Sequence, residues 1–207
     1  SIAPSTSGTV VLWENVDRLI KDYSNPTGGP AKKALKAKEN DLRQHLSMVY
    51  QRFLDSNDDR GPKVTIELNG EAIQAWDPFQ RELSELVAEE VVPTELADGT
   101  EAEFIVRAYI LPRREEFPDD KLAAHAMLSN DRQGIYVYRE NRLIHDADWL
   151  GLYQKEPHLT LLRVEFSFDH KLDDAFHLDI KKSKILLNED LANWLQQLSY
   201  YIKSAVN

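Results

Sequence analysis

The chain has 207 residues, with 35 acidic against 25 basic side chains, a net charge of −10 and no cysteine. That length supports one large domain or one and a half small ones, with a core that needs no disulfide or metal staple. Without cysteine there is no thiolate zinc site, iron–sulfur cluster or cysteine nucleophile, and the acidic balance excludes a surface that is basic all over while leaving room for a local basic patch.

Only eight glycines are present, none at the spacing of a phosphate-cradling loop. No apolar run approaches the roughly 18 residues of a membrane span, and no basic-then-apolar leader opens the chain. A cytoplasmic protein with no membrane partner is therefore expected. The chain begins at Ser1 rather than at a methionine and reads as a piece of something longer.

The β-branched run Gly8–Trp13 predicts a first strand. Ser24-Asn25-Pro26-Thr27-Gly28-Gly29-Pro30 is too rich in Pro and Gly for regular structure and reads as a linker or loop. Lys32, Lys33, Lys36 and Lys38 lead into a helix whose apolar residues Leu42, Leu46, Val49, Tyr50 and Phe53 fall on one face. Val64, Ile66 and Leu68 alternate with polar residues and run into Asn69-Gly70, the chemistry of a tight hairpin, with Ala72–Trp76 as the returning strand. Glu82–Glu95 is ambiguous between helix and strand. Asp98-Gly99-Thr100 predicts a turn, Ala102–Leu111 a strand that Pro112 stops, and Asp119–Leu128 a helix with Leu122, Ala123, Ala126 and Met127 inward.

Ile135–Tyr138, Glu140-Asn141 and Leu143-Ile144 read as a second tight hairpin, and Leu162, Val164, Phe166 and Phe168 as an alternating, half-buried strand. Asn188 caps a last helix with the apolar stripe Leu191, Trp194, Leu195, Leu198, Ile202 and Ala205. Strands and helices interleave without a strict βαβα rhythm, so the fold class is α+β.

Six scattered histidines make no metal-ligand pair, and neither a Gly-x-Ser-x-Gly elbow nor a P-loop occurs. The acidic pairs Asp58-Asp59, Glu115-Glu116, Asp119-Asp120 and Asp173-Asp174 read as solvated loop tips. Two basic sites stand out: Arg132–Ile144, with Arg139 and Arg142, and Phe176–Ile185, with Lys181, Lys182 and Lys184 between a strand and a capped helix. Composition alone allows the second to be a solvated turn.

Four segments together resemble the region after the ATP-binding fold in the GHKL superfamily, the group of DNA gyrase B, MutL, Hsp90 and MORC proteins. Gly8-Thr9-Val10-Val11 is similar to the strand that ends the ATP-binding domain, and Asn69-Gly70 through Asp77-Pro78-Phe79 to a MORC-type passage. Gly134 through Arg142-Leu143-Ile144 resembles a MORC-type segment of the second domain, and Phe176–Lys184 sits where gyrase- and MutL-like proteins carry a lysine motif.

The resemblance implies a transducer domain of the ribosomal protein S5 domain 2-like fold over residues 31–207, a four-stranded sheet backed by helices. Residues 1–30 would be the last strand of the ATP-binding domain plus a linker. It further implies that one lysine reaches the ATP of that domain: Lys182 by the MutL-like pattern, Lys181 by the gyrase-like one. Thr9 would lie near the adenine pocket. ATP and Mg²⁺ would be cofactors of the longer parent, an ATP hydrolase, with none in this piece, which is expected to be inactive alone. The implied partners are the ATP-binding domain, a second copy in a homodimer, and DNA. A reading of a different class is a non-catalytic module in which Arg139, Arg142 and Lys184 form a basic patch for nucleic acid or an acidic partner. A free-standing hydrolase using paired carboxylates has no supporting spacing.

Overall fold

The computed structural model describes residues 8–14, 19, 22–95, 99–151 and 153–173. The last helix around 188–205 and the lysines at 181, 182 and 184 lie outside them. The chain divides into two compact units, Ser1–Gln44 and His45–Asn207.

In the first unit the Gly8–Trp13 run is not a strand: it takes no regular structure, and Val10, Val11, Leu12 and Trp13 are 73–80% exposed. β-Branched residues favour extended backbone, but a strand also needs a neighbour to take its hydrogen bonds, and none of the described residues pairs with it. Thr9 is exposed within this run. The turn at 24–28 is closed by Asn25, whose side chain accepts from the Thr27 backbone and hydroxyl. Helix α1 (Gly29–Val49) starts earlier than its apolar stripe suggests and takes in all four lysines. Pro30 is tolerated because first-turn N–H groups have no helical partner in any case. Glu39 pairs with Lys36 at 3.0 Å and with Arg43 at 3.6 Å along the helix surface.

In the second unit α1 ends at Val49 and, after Tyr50, one more turn forms, α2 (Gln51–Leu54). The hairpin at Asn69-Gly70 is present, but its strands β1 (Glu67–Leu68) and β2 (Glu71–Ala72) are only two residues each. Asn69 (φ 54°) and Gly70 (φ 81°) supply the two left-handed residues of the turn.

Of the ambiguous acidic segment Glu82–Glu95, the first three residues are turn and bend and the rest is a strand, β3 (Glu85–Glu95), joined across residues 96–100 to β4 (Glu101–Ile110). A short helix, α3 (Asp120–His125), follows; Asp119 caps it by accepting from the Leu122 N–H at 2.8 Å, so this carboxylate terminates a helix rather than a loop. Then come β5 (Gly134–Arg139), β6 (Arg142–Asp148) and β7 (Leu162–Phe168).

The main sheet has five strands in the order β3-β4-β7-β5-β6, one more than the resemblance implies. All neighbours are antiparallel except β5 and β7, which run parallel from Gly134↔Arg163 to Arg139↔Phe168. The class is α+β with a mixed sheet. One face of β4, β5 and β7 carries Phe104, Val106, Ala108, Ile135, Val137, Val164 and Phe166, which form one buried cluster with Trp149 and Leu172. Each such side chain contributes about 1.5–3 kcal/mol when fully buried, so this face supplies the bulk of the stability.

The opposite face was expected to meet water, and over β5, β7 and the end of β4 it does not. Its residues Tyr109, Tyr136 and Tyr138 pack with Trp76, Phe79 and Met48, and beside them lie Arg163, Glu165 and Ser167 of β7. Arg163 and Glu165 are 0% exposed. Phe79 makes the seal, with its ring centroid 5.0 Å from Tyr109 and 5.5 Å from Tyr136.

Candidate functional site

Burying a carboxylate is costly unless charge and hydrogen bonds compensate it. Glu165 in the middle of β7 therefore dictates its surroundings. Arg52 of α2 donates to it at 2.9 Å, Arg60 at 3.1 Å and Arg107 of β4 at 2.9 Å, and the Ser167 hydroxyl donates at 3.1 Å. The surplus positive charge is taken up further out. Arg60 binds Asp58 at 2.6 Å, Arg81 binds Asp58 at 3.1 Å and Asp77 at 3.0 Å, and Arg107 binds Glu89 at 2.7 Å. Arg52, Arg60, Arg81 and Arg107 thus face Glu165, Asp58, Asp77 and Glu89 in a closed network.

Asp58, expected on a solvated loop tip, is 4% exposed and belongs to this network, while its neighbour Asp59 stays exposed. Sequence adjacency turned the two carboxylates apart, and Arg60 drew one inward. Burial opposes ionisation of Glu165, but Arg52, Arg60 and Arg107 outweigh it and hold the carboxyl below its usual range. Burial likewise opposes the charge on Asp58, and the hydrogen bonds and charge of Arg60, with Arg81 behind it, hold that carboxyl far below the ordinary value. Burial raises the Tyr138 hydroxyl well above its normal range, so it stays protonated, and the Arg52 guanidinium lies 3.6 Å above its ring.

Two of the segments that carry the family resemblance meet at this network. In Asp77-Pro78-Phe79, the Asp77 carboxylate accepts from the Phe79 and Arg81 N–H groups at 3.0 and 3.1 Å, and the Pro78 carbonyl accepts from buried Arg163 of β7. In the β5–β6 hairpin, Glu140 (φ 50°) and Asn141 (φ 65°) form the two-residue turn expected there, without a glycine. The Asn141 side chain accepts from Arg52 at 3.1 Å and donates to the Arg60 carbonyl at 2.6 Å.

Next to Asn141, the hairpin tip holds the chain that leaves β7. The Glu140 N–H donates to the Phe168 carbonyl at 3.0 Å, and the Glu140 carboxylate accepts from the His170 N–H at 3.0 Å and contacts its ring Nδ1 at 2.5 Å. Arg139 binds Asp173 with both ends of its guanidinium, at 2.6 and 2.5 Å. Asp173 too is a bound partner, not a free loop tip. Arg142 is exposed and lies 5.7 Å from the Tyr50 ring centroid.

The predicted basic patch is therefore divided: Arg139 is engaged by Asp173, Arg142 faces solvent beside Tyr50, and Lys184 lies outside the described residues, as do Lys181 and Lys182. Sequence reading missed Arg52, Arg60, Asn141 and Glu165 as the groups that organise the site. Their signal was faint, because charged residues on an alternating strand or beside Asp-Asp look solvated.

A solvent-open cleft of about 540 Å³ adjoins the network, lined among others by Asp55, Asn57, Asp77, Gln80, Arg81 and His125. Arg81, its main cation, is already paired with Asp58 and Asp77. Arg52, Arg60 and Arg107 are matched to Glu165, and no group of three or more His, Asp or Glu among the described residues could hold a metal ion. No described helix is long and apolar enough to cross a membrane. No family model, curated protein or solved structure matches the chain.

Proposed function

We propose that this chain is the coupling part of a GHKL-type ATPase, a transducer domain of the ribosomal S5 domain 2-like kind. In this reading it carries a switch lysine, Lys182 with Lys181 as the second candidate, to the ATP held with Mg²⁺ by a separate ATP-binding domain. The observation that supports it most is the convergence on β7. Asp77-Pro78-Phe79 and the Arg142-Leu143-Ile144 hairpin, distant in sequence, pack together through Phe79 and Tyr136. Both also bind β7, the strand that leads toward the lysines.

A lysine suits the role because its ammonium is a compact charge on a flexible stem, matched to phosphate oxygens as negative charge shifts between them. A rigid sheet suits the other half of the role, since loss of a single contact at its edge must move a domain and not merely a loop. Nucleic-acid binding through a basic loop has less support, because Arg139 is already engaged by Asp173.

The test is ATP turnover by the chain together with its ATP-binding domain. Lys182→Ala, or Lys181→Ala if the gyrase-like alignment holds, is expected to lower turnover by about 10²-fold, the usual effect of removing one charge-stabilising group. Unchanged turnover in both variants would remove the assignment.

A further inference from the structure

We propose that the tip of the β5–β6 hairpin is a latch on the chain leaving β7, with Arg139 and Glu140 as positioning residues for the lysine-bearing segment beyond. This rests on the transducer reading above.

Three consecutive tip residues divide two tasks. Asn141 faces inward and ties the turn to Arg52 and Arg60 of the buried network. Arg139 and Glu140 face the other way and bind residues 168, 170 and 173 in succession. Leu172, 0% exposed, inserts between those bonds into the large apolar cluster. The chain leaving β7 is thus held by its backbone at Phe168, by its side chains at His170 and Asp173, and by a buried anchor at Leu172.

Glu140 adopts φ 50°, a left-handed conformation that residues other than Gly, Asn and Asp seldom take. An Asn or Gly at that place would make an easier turn but would not reach His170 as Glu140 does. Lys181 and Lys182 follow Asp173 by eight and nine residues in the sequence, so the latch holds the last described residue before them.

The character of the bonds suits a device that opens. Glu165 is sealed, whereas the side chains of Arg139 and Asp173 are 37% and 36% exposed and those of His170 and Glu140 are 67% and 48% exposed. A solvated Arg–Asp ion pair and a solvated Glu–His hydrogen bond of this kind are weak one by one and break and re-form readily. A latch of several weak bonds beside a rigid network holds one direction of exit yet yields to a modest pull.

The experiment uses Arg139→Asp, Asp173→Arg and the double swap, with Glu140→Gln as a milder variant. Hydrogen exchange at the Leu172 and Asp173 amides is read in the chain, and kcat and KM for ATP in the ATPase assembled with its ATP-binding domain. Each single variant is expected to speed exchange at those amides by about 3- to 10-fold, since local opening there becomes easier. The same variants should lower kcat by about 3- to 10-fold with KM within about twofold, the pattern of a lost positioning contact. The double swap should restore both, and thermal unfolding midpoints separate the latch from a folding defect.

Faster exchange with unchanged kcat, or a double swap that restores neither readout, would overturn the proposal. If Lys182→Ala and Lys181→Ala also leave turnover intact, the transducer reading itself has failed. If a lysine variant loses turnover while Arg139→Asp keeps full kcat, the latch alone has failed.

Discussion

Glu165→Gln is expected to destabilise the protein by about 3–5 kcal/mol, the cost of removing one partner from a buried ion pair and leaving the others uncompensated. The substitution keeps the shape of the side chain, so packing changes little. What it removes is the charge that Arg52, Arg60 and Arg107 share. By contrast, Asp173→Asn breaks an exposed pair and should stay within about 1 kcal/mol. Denaturant unfolding of both variants checks the difference, and a Glu165→Gln midpoint equal to that of Asp173→Asn would contradict it.

The same network fixes a pH dependence. Glu165 and Asp58 have carboxyls held below their usual range in the folded protein. A depressed folded-state pKa means that their contribution is complete above the unfolded values near pH 4 and is lost as pH falls through the lower folded-state ones. Stability from these groups should therefore be level from neutral pH down to about pH 5 and fall on further acidification. Glu165→Gln should make that fall shallower.

Gly134→Ala is the second large effect expected. Gly134 opens β5 at φ +118°, and a methyl group there would lie 2.9 Å from the Asp148 backbone of β6. Positive-φ strain costs about 1–3 kcal/mol, and forcing an atom against backbone in a packed site adds about 1–3 kcal/mol. Gly70→Ala is the control. Gly70 also has positive φ, at +81°, but nothing lies within 4 Å of the added atom, so only the strain is incurred. Thermal unfolding should show the Gly134 variant clearly less stable than the Gly70 variant, and equal midpoints would refute the close approach.

Local elements were legible where local chemistry decides them. The β5–β6 hairpin could be read because Glu140-Asn141 sits midway between the apolar runs Ile135–Tyr138 and Leu143-Ile144 as a two-residue turn, even though that turn lacks glycine. Helix α1 was legible from its stripe, although its start was not, because Pro30 looks like a breaker and is harmless in a first turn. Gly8–Trp13 shows the opposite limit: strand propensity with no partner strand among the described residues gives no strand. The ambiguity of Glu82–Glu95 has the same root, since the strand character of Glu85–Glu95 comes from pairing with β4 rather than from alternation.

The sheet order was not readable, because β7 inserts between β4 and β5 through contacts far apart in sequence. That order is also what concealed the site. Alternation in β7 marked Leu162, Val164 and Phe166 as inward and so sent Arg163 and Glu165 to solvent, as for a sheet with one wet face. Trp76 and Phe79 close the second face over β5 and β7 instead, and the charges of β7 become a buried center that draws in Arg52 and Arg60. Once both faces are covered, a polar residue on a strand is evidence of a network and not of exposure.

A transducer requires that the end of β7 respond to nucleotide bound on another domain. Hydrogen exchange at residues 168–173 measures this most directly, in the chain assembled with its ATP-binding domain, with and without a non-hydrolysable ATP analogue. Coupling predicts slower exchange across those amides when the analogue is bound, and loss of that difference in the variant of whichever lysine, 182 or 181, proves to control turnover. Identical exchange with and without the analogue would contradict it.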